Sequence, residues 1–325
     1  VSDRPARASA AAYVVLSHRD PQQLTRLVTA IRASSPTASV FVSHDARRSP
    51  PPVIDDPGVH VRAHGRRTDW GSFEVVRAMI DALAWARDVA APDMVALVSG
   101  QDYPARSLDQ WEREFLEAGG GWAGWAAPLR YTPAWRGNSE RGDKQADLMR
   151  YSYRWFRLPE LSRAHEDRVR GWAWRLLSRG EKVAAFRYLP RGGGMRVGIR
   201  RWPPPFTPER PCYSGEAWLA MDRELLDDLL AAVVPGSRWF RIFQNSLVPD
   251  EAYLQTLLSW RMPPREDTAL TYTDWSQAGP HPKVLDLADV DSVRASGAAF
   301  CRKVENGVSD ALLDALDKVN RRHTA

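Results

Sequence analysis

Pro249-Asp250-Glu251 places two adjacent carboxylates after a short polar segment, ahead of Tyr253, Leu254, Leu257 and Leu258 at helical spacing. A carboxylate at a helix start sits in a favourable field. Beside a pocket, it suits a general base that takes the proton of an alcohol nucleophile. Upstream, Cys212-Tyr213-Ser214-Gly215-Glu216-Ala217-Trp218 reads as one wall of such a pocket. Glu251, in the first turn of the helix, is the candidate base, while Asp250 competes for that role and reads as a helix cap. An acidic pair that merely complements the helix dipole is the simpler alternative.

Other groups that carry chemistry lie at the ends of apolar runs. Ser17-His18-Arg19, Ser43-His44-Asp45 and Gly100-Gln101-Asp102-Tyr103 each follow a strand-like segment. Asp45 can accept hydrogen bonds from a ribose or a base, or cap its own loop. His18 and His44 with Asp45 do not have a recognised metal-ligand spacing. No GxGxxG and no GxxxxGK[ST] occurs, so neither a dinucleotide fingerprint nor a phosphate loop is present. Asp289-Val290-Asp291 has the letters of a metal-binding DxD, but it comes late in the chain and reads as a turn or helix start. Arg302-Lys303 can supply fixed positive charge to a phosphate without a metal, or face solvent as a pair.

These groups need a frame. Tyr13–Leu16, Val40–Val42, Val59–Val61 and Met94–Val98 read as buried strands. Asp20-Pro21 starts a helix with Leu24, Leu27, Val28 and Ile31 on one face, and Ser72 starts a second through Val75, Val76, Met79, Ile80 and Leu83. Strands alternating with amphipathic helices predict an α/β fold with a mostly parallel sheet covered on both faces. In such sheets the ligand lies beyond the carboxyl ends of the strands.

Composition bounds the function. A chain of 325 residues with a 44% hydrophobic fraction can bury a large core. No run of about 18 apolar residues is present. The first residues lack a signal-peptide pattern, and Cys212 and Cys301 are too few for a disulfide scaffold, so a cytoplasmic, reducing setting is expected. Between Arg130 and Arg201 lie sixteen arginines, interleaved with Trp135, Trp155, Trp172 and Trp174. Arginine with aromatics can hold nucleic acid, a phosphorylated small molecule or a glycoside. No nucleic-acid motif accompanies the bias, and nucleic acid is not expected. Trp155, Trp172, Trp174 and Trp202 are candidates for stacking on a sugar or aglycone, or for core. Gly192-Gly193-Gly194 reads as a turn, and Arg201 to Pro205 as a stiff connector.

Several of these pieces together resemble the core-2/I-branching β-1,6-N-acetylglucosaminyltransferases, relatives of the peptide O-xylosyltransferases. They are Val14 to His18, Ser43-His44-Asp45, Asp69 to Ser72 and Leu97 to Pro104, then Ser214 to Trp218, Val248 to Glu251 and Phe300 to Lys303. The similarity spans about residues 10 to 120 and 210 to 315. It implies a single Rossmann-like, nucleotide-sugar-binding domain of the glycosyltransferase A type and inverting transfer. It also implies no divalent metal and no cofactor beyond the nucleotide sugar, UDP-GlcNAc or a related UDP-sugar. Glu251 resembles the family's general base. Asp45 resembles its nucleoside-contacting aspartate, and Val15 and Trp70 fall near uridine-contacting positions, with His18 beside them on the donor side. Lys303, with Arg302 beside it, resembles the residue that neutralises the diphosphate, and Lys283 its second basic partner. Asp102, Glu216 and Trp218 border the cleft on the acceptor side.

The organisation expected is a nucleotide-binding half over 1–120, a divergent Arg/Trp-rich acceptor-side insertion over 121–205, and a catalytic half with the terminal diphosphate motif over 206–325. The partners expected are the sugar donor and a small-molecule or glycoside acceptor. A metal-dependent transferase using another donor, or a nucleotide- or carbohydrate-binding protein without catalysis, are the alternatives.

Overall fold

A computed structural model describes residues 10–129, 145–158, 183–189, 194–265, 270–277 and 281–320. The leading elements are β1 (Ala11–Ser17), α1 (Pro21–Ser34), β2 (Ser39–Asp45), β3 (Val59–His64), α2 (Phe73–Ala90) and β4 (Met94–Ser99). They match the alternation expected from the sequence. The Asp20 carboxylate accepts the amide of Gln23 at 3.0 Å and Pro21 opens α1, whose Leu24, Leu27, Val28 and Ile31 are buried.

The chain continues through β5 (Asp102–Pro104), α3 (Leu108–Glu117), β6 (Trp122–Ala123), β7 (Ala126–Pro128), α4 (Gln145–Ser152), β8 (Tyr153–Arg157), β9 (Ala184–Leu189) and β10 (Gly194–Arg200). Then come β11 (Tyr213–Gly215), β12 (Leu219–Asp222), α5 (Arg223–Ala232), α6 (Arg238–Gln244), α7 (Tyr253–Arg261), β13 (Thr271–Thr273), α8 (Val290–Ala295), β14 (Phe300–Arg302) and α9 (Asp310–Asn320).

The central sheet runs β3-β2-β1-β4-β12-β6. Its first four strands are parallel, β12 is antiparallel to β4, and β6 is antiparallel to β12. β1 and β4 are buried on both faces, which is why their sequences are continuous apolar runs. One face packs Tyr13, Val15 and Val98 against Leu24, Leu27, Phe300 and Leu312. The other packs Val14, Phe41 and Leu97 against Val76, Met79, Leu225 and Tyr253. The mixed α/β fold with helices on both faces is thus the one expected.

Two smaller sheets position the site. In β13-β14-β5, the antiparallel pairing of β14 with β5 sets Arg302 opposite Asp102 and Cys301 opposite Tyr103. The chain's last motif is thereby carried to the end of β4. In β8-β10-β9, Tyr153, Trp155 and Leu189 pack on Leu247 and Val248. Trp155 is core rather than a stacking platform: it is 4% exposed, and its indole N–H donates to the Arg150 carbonyl at 3.0 Å. A Cβ on Gly198 would meet the Trp155 ring at 2.8 Å, so the strand needs glycine there. Trp202 stands 87% exposed in the connector to β11. Trp135, Trp172, Trp174, Gly192 and Gly193 lie outside the described residues, and Gly194 opens β10.

The acidic pair departs from expectation. Pro249–Glu251 is a single 3-10 turn, and α7 begins only at Tyr253. Val248 enters this turn with φ +47°, and Ala252 leaves it at φ −147°, ψ −29°. The segment is tied elsewhere: the Val248 amide donates to the Gly71 carbonyl at 3.3 Å, and the Tyr151 hydroxyl donates to the Val248 carbonyl at 3.0 Å. Those ties turn the chain off the helical path, so Glu251 precedes the helix instead of lying in its first turn. Asp250 makes no cap to α7.

Candidate functional site

A cavity of about 480 Å³ lies beyond the carboxyl ends of β1, β2 and β4, where ligands bind in parallel α/β sheets. Its volume falls in the range of small-molecule sites. Ser17 and His18 come from the end of β1, Ser43 from β2, and Ser99, Gly100 and Gln101 from the turn after β4. A Cβ on Gly100 would approach Ser17 Cβ to 3.1 Å, so the turn needs a glycine to close on β1.

The first two strand ends are pinned by His44. Its Nε2 lies 2.8 Å from the Ser49 carbonyl, which only accepts, so Nε2 carries the proton and Nδ1 accepts from the Ser17 hydroxyl at 2.8 Å. His18 lines the cavity. Burial, with Arg48 and Arg19 nearby, pulls its imidazole below the ordinary value, which leaves it neutral at pH 7. Among the described residues no three His, Cys, Asp or Glu side chains gather as metal ligands.

Asp45 is buried, and its carboxylate is occupied. Arg47 donates to both oxygens, from Nε at 2.9 Å and Nη2 at 2.7 Å, and the Thr68 hydroxyl donates at 2.5 Å. Burial opposes the charge, but these hydrogen bonds outweigh it and hold the carboxyl well below its usual range. Thr68 and Trp70 line the cavity, with Arg48 and His64, while Asp45 stands behind them. The Val15 side chain is in the core, and its neighbours Leu16 and Ser17 form the wall.

At the other end, Arg302 lines the cavity. Its guanidinium donates to Ser99 Oγ at 3.3 Å, lies 3.2 Å from Asp102 Oδ1 and sits 5.0 Å over the ring of Trp218, another wall residue. Asp102 is fully buried and accepts the amide of Ser99 at 2.7 Å. Burial pushes its carboxyl up, against the pull of Arg302 and Ser99. Asp102 therefore braces Arg302 and the Ser99 turn from behind the wall. Burial also raises Glu216, which Arg302 counteracts and Asp102 reinforces.

The two lysines are engaged. Lys303 Nζ is 2.6 Å from Glu305 Oε1, and Glu305 also takes Arg19 at 2.9 Å. Glu305 lines the cavity, so Lys303 reaches its rim through this carboxylate. Lys283 is not among the wall residues and is bound by both carboxylate oxygens of Asp289 at 2.7 and 2.8 Å. Asp289 itself closes a capping box on the 3-10 turn Leu287–Asp289, so the DxD letters belong to a helix start.

Asp250 and Glu251 separate. Asp250 is on the cavity wall, whereas Glu251 is not among its wall residues and meets Arg150 Nη1 at 2.9 Å. Arg150 comes from α4, inside the Arg-rich stretch, and no sequence signal singled it out. Arg48, His64, Thr68 and Glu305 were missed as well. Arg48 and Glu305 follow the Ser43-His44-Asp45 and Phe300 to Lys303 motifs by two or three residues, while His64 ends β3 and Thr68 follows it, and these positions are the signal that could have found them.

Residues 187–296 of the chain match the family model described as Core-2/I-Branching enzyme. The match takes in Ser214 to Trp218 and Pro249-Asp250-Glu251, and it ends before Phe300 to Lys303. It bears out the core-2/I-branching resemblance, and that family is one of glycosyltransferases, so the chain is an enzyme of the sugar-transferring class. A search of curated proteins returned no match. One solved structure, described as a glucose-1-phosphate thymidylyltransferase from Bacillus anthracis in complex with a sucrose, is 9% identical. Its alignment covers 88% of this chain and 95% of that one with a TM-score of 0.35, a likeness too slight to bear on fold or function. No helix among the described residues is long and apolar enough to cross a membrane.

Proposed function

We propose that the protein is an inverting glycosyltransferase of the A-type nucleotide-sugar fold that moves a sugar from a uridine-diphosphate donor, UDP-GlcNAc or a close relative, to an acceptor hydroxyl. The observation that carries this reading is the cavity at the strand ends with Arg302 in its wall. A leaving nucleoside diphosphate gains charge as the anomeric bond breaks, and a fixed guanidinium supports that charge most when it is largest. Arg19 and Arg48 add positive charge to the same wall, and Lys303 stands at the rim. Trp70 and Trp218 offer flat faces for a base or a sugar ring.

Inversion requires one base on the side of the anomeric carbon opposite the leaving group. Glu251 fits that place. It follows the donor-cavity wall by one residue, and Arg150 fixes its carboxylate. The base takes the acceptor's proton as the oxygen attacks, and the diphosphate departs toward Arg302. A metal is not required in this scheme, because arginine and lysine provide the charge.

The test is a screen of labelled nucleotide sugars against alcohol acceptors, run in EDTA with product anomers read by NMR. A UDP-sugar turned over with inverted configuration in EDTA is the expected result. Turnover that vanishes in EDTA and returns with manganese would overturn the metal-independent scheme, and retention of configuration would overturn the single-base mechanism.

A further inference from the structure

Three carboxylates line the cavity: Asp20, Glu305 and Asp250. Two are committed to the protein. Asp20 caps α1 through the Gln23 amide at 3.0 Å, and Glu305 is held by Lys303 at 2.6 Å and Arg19 at 2.9 Å. Asp250 differs. Its Oδ1 is buried and has no hydrogen-bond partner among the described residues. A buried polar oxygen without a partner is destabilising, which the fold offsets elsewhere and a ligand can recover.

We propose that Asp250 is a sugar-recognition residue of the donor site, whose carboxyl group hydrogen-bonds a hydroxyl of the transferred sugar. The inference rests on the nucleotide-sugar reading above. It divides the acidic pair by position: Asp250 is on the wall of the cavity that takes the donor, while Glu251, one residue on, reaches Arg150 outside it. In an in-line displacement the base and the leaving group lie on opposite sides of the reacting carbon. A carboxyl inside the donor cavity therefore meets the sugar itself.

The surroundings give this carboxyl the character of a donor. Leu16, Trp70, Val75, Ala78 and Trp218 share the wall with Arg19, Arg48 and Arg302, and within it burial disfavours the charged carboxyl. Burial first, and then the neighbouring Glu251 charge, pushes Asp250 up to about 7, against the opposing pull of its own amide and Arg150. Below that pH it holds its proton and donates it to a sugar oxygen. Above it, the group becomes an anion that can only accept. An amide at this position keeps a donor at every pH.

The experiment is calorimetric titration of wild type, Asp250→Ala and Asp250→Asn with UDP and with UDP-GlcNAc at pH 6 and 8.5. Asp250→Ala is expected to bind UDP as wild type does but to lose about tenfold or more in UDP-GlcNAc affinity, because only the sugar touches the carboxyl. Its unchanged UDP affinity doubles as the check that the fold is intact. Asp250→Asn is expected to restore UDP-GlcNAc affinity at pH 6 and to keep it at pH 8.5, where wild type weakens. Asp250→Ala that binds UDP-GlcNAc as tightly as wild type, or that loses UDP equally, overturns the inference. Wild type binding neither nucleotide would instead remove the uridine-donor reading on which it stands.

Discussion

Arg302 does most of the electrostatic work at the residue scale, and its setting explains its neighbours. Its guanidinium meets a buried carboxylate, a serine hydroxyl and an indole face, so Asp102, Ser99 and Trp218 serve to hold a cation in place. The lysines flanking it in the chain's last third are not equivalent. Lys303 shares Glu305 with Arg19 at the cavity rim, and a diphosphate can draw it away from that carboxylate. Lys283 is bound by both oxygens of Asp289 and meets no wall carboxylate among the described residues. Lys303→Ala is therefore expected to weaken UDP binding about tenfold or more. Lys283→Ala is expected to leave UDP binding near wild type and to lower the melting temperature slightly through the loss of its ion pair with Asp289. Calorimetry and thermal melts of the two variants check this. Equal losses of affinity in both would return Lys283 to the diphosphate.

At the scale of elements, the strand ends were legible and the pairing between distant segments was not. β1, β2 and β4 announce themselves as apolar runs, so His18 and the Ser99-Gly100-Gln101 turn could be placed at the sheet's ligand end from local pattern, whereas Trp70 came only through the family resemblance. Local pattern cannot show that β14 pairs with β5 across some 200 residues, nor that Arg150 of α4 meets Glu251. It also put Glu251 inside α7, because nothing in the sequence reveals the ties that bend Val248 away from the helix. Asp45 shows the same limit: its type and position suited a ligand contact, but Arg47, two residues on, fills it. That pairing makes the end of β2 sensitive to acid. The folded-state pKa of Asp45 is depressed, so its stabilisation is present above the unfolded carboxylate pKa of about 3.9 and is lost as pH falls below it. Asp45→Asn is expected to cost about 1–3 kcal/mol at pH 7, with the gap to wild type narrowing as pH drops from 5 toward 3. Thermal melts across that range measure it, and a gap that is constant with pH would show that the charge contributes nothing.

For the whole molecule, one sheet carries the cavity proposed for the donor, and three groups of residues far apart in sequence line it: the ends of β1, β2 and β4, the turn before α7, and the strand β14. The family match covers the middle of these and bears out a sugar-transferring enzyme. The proposed division of labour rests on the positive charge and Asp250 in the cavity wall, with Glu251 the next residue along the chain. The most direct test is the transfer rate of Glu251→Gln at saturating donor, beside its donor affinity and melting temperature. The account predicts a folded protein with donor affinity near wild type and transfer slowed about 10²-fold or more, the scale of a lost general base. A folded Glu251→Gln that turns over near the wild-type rate would contradict it.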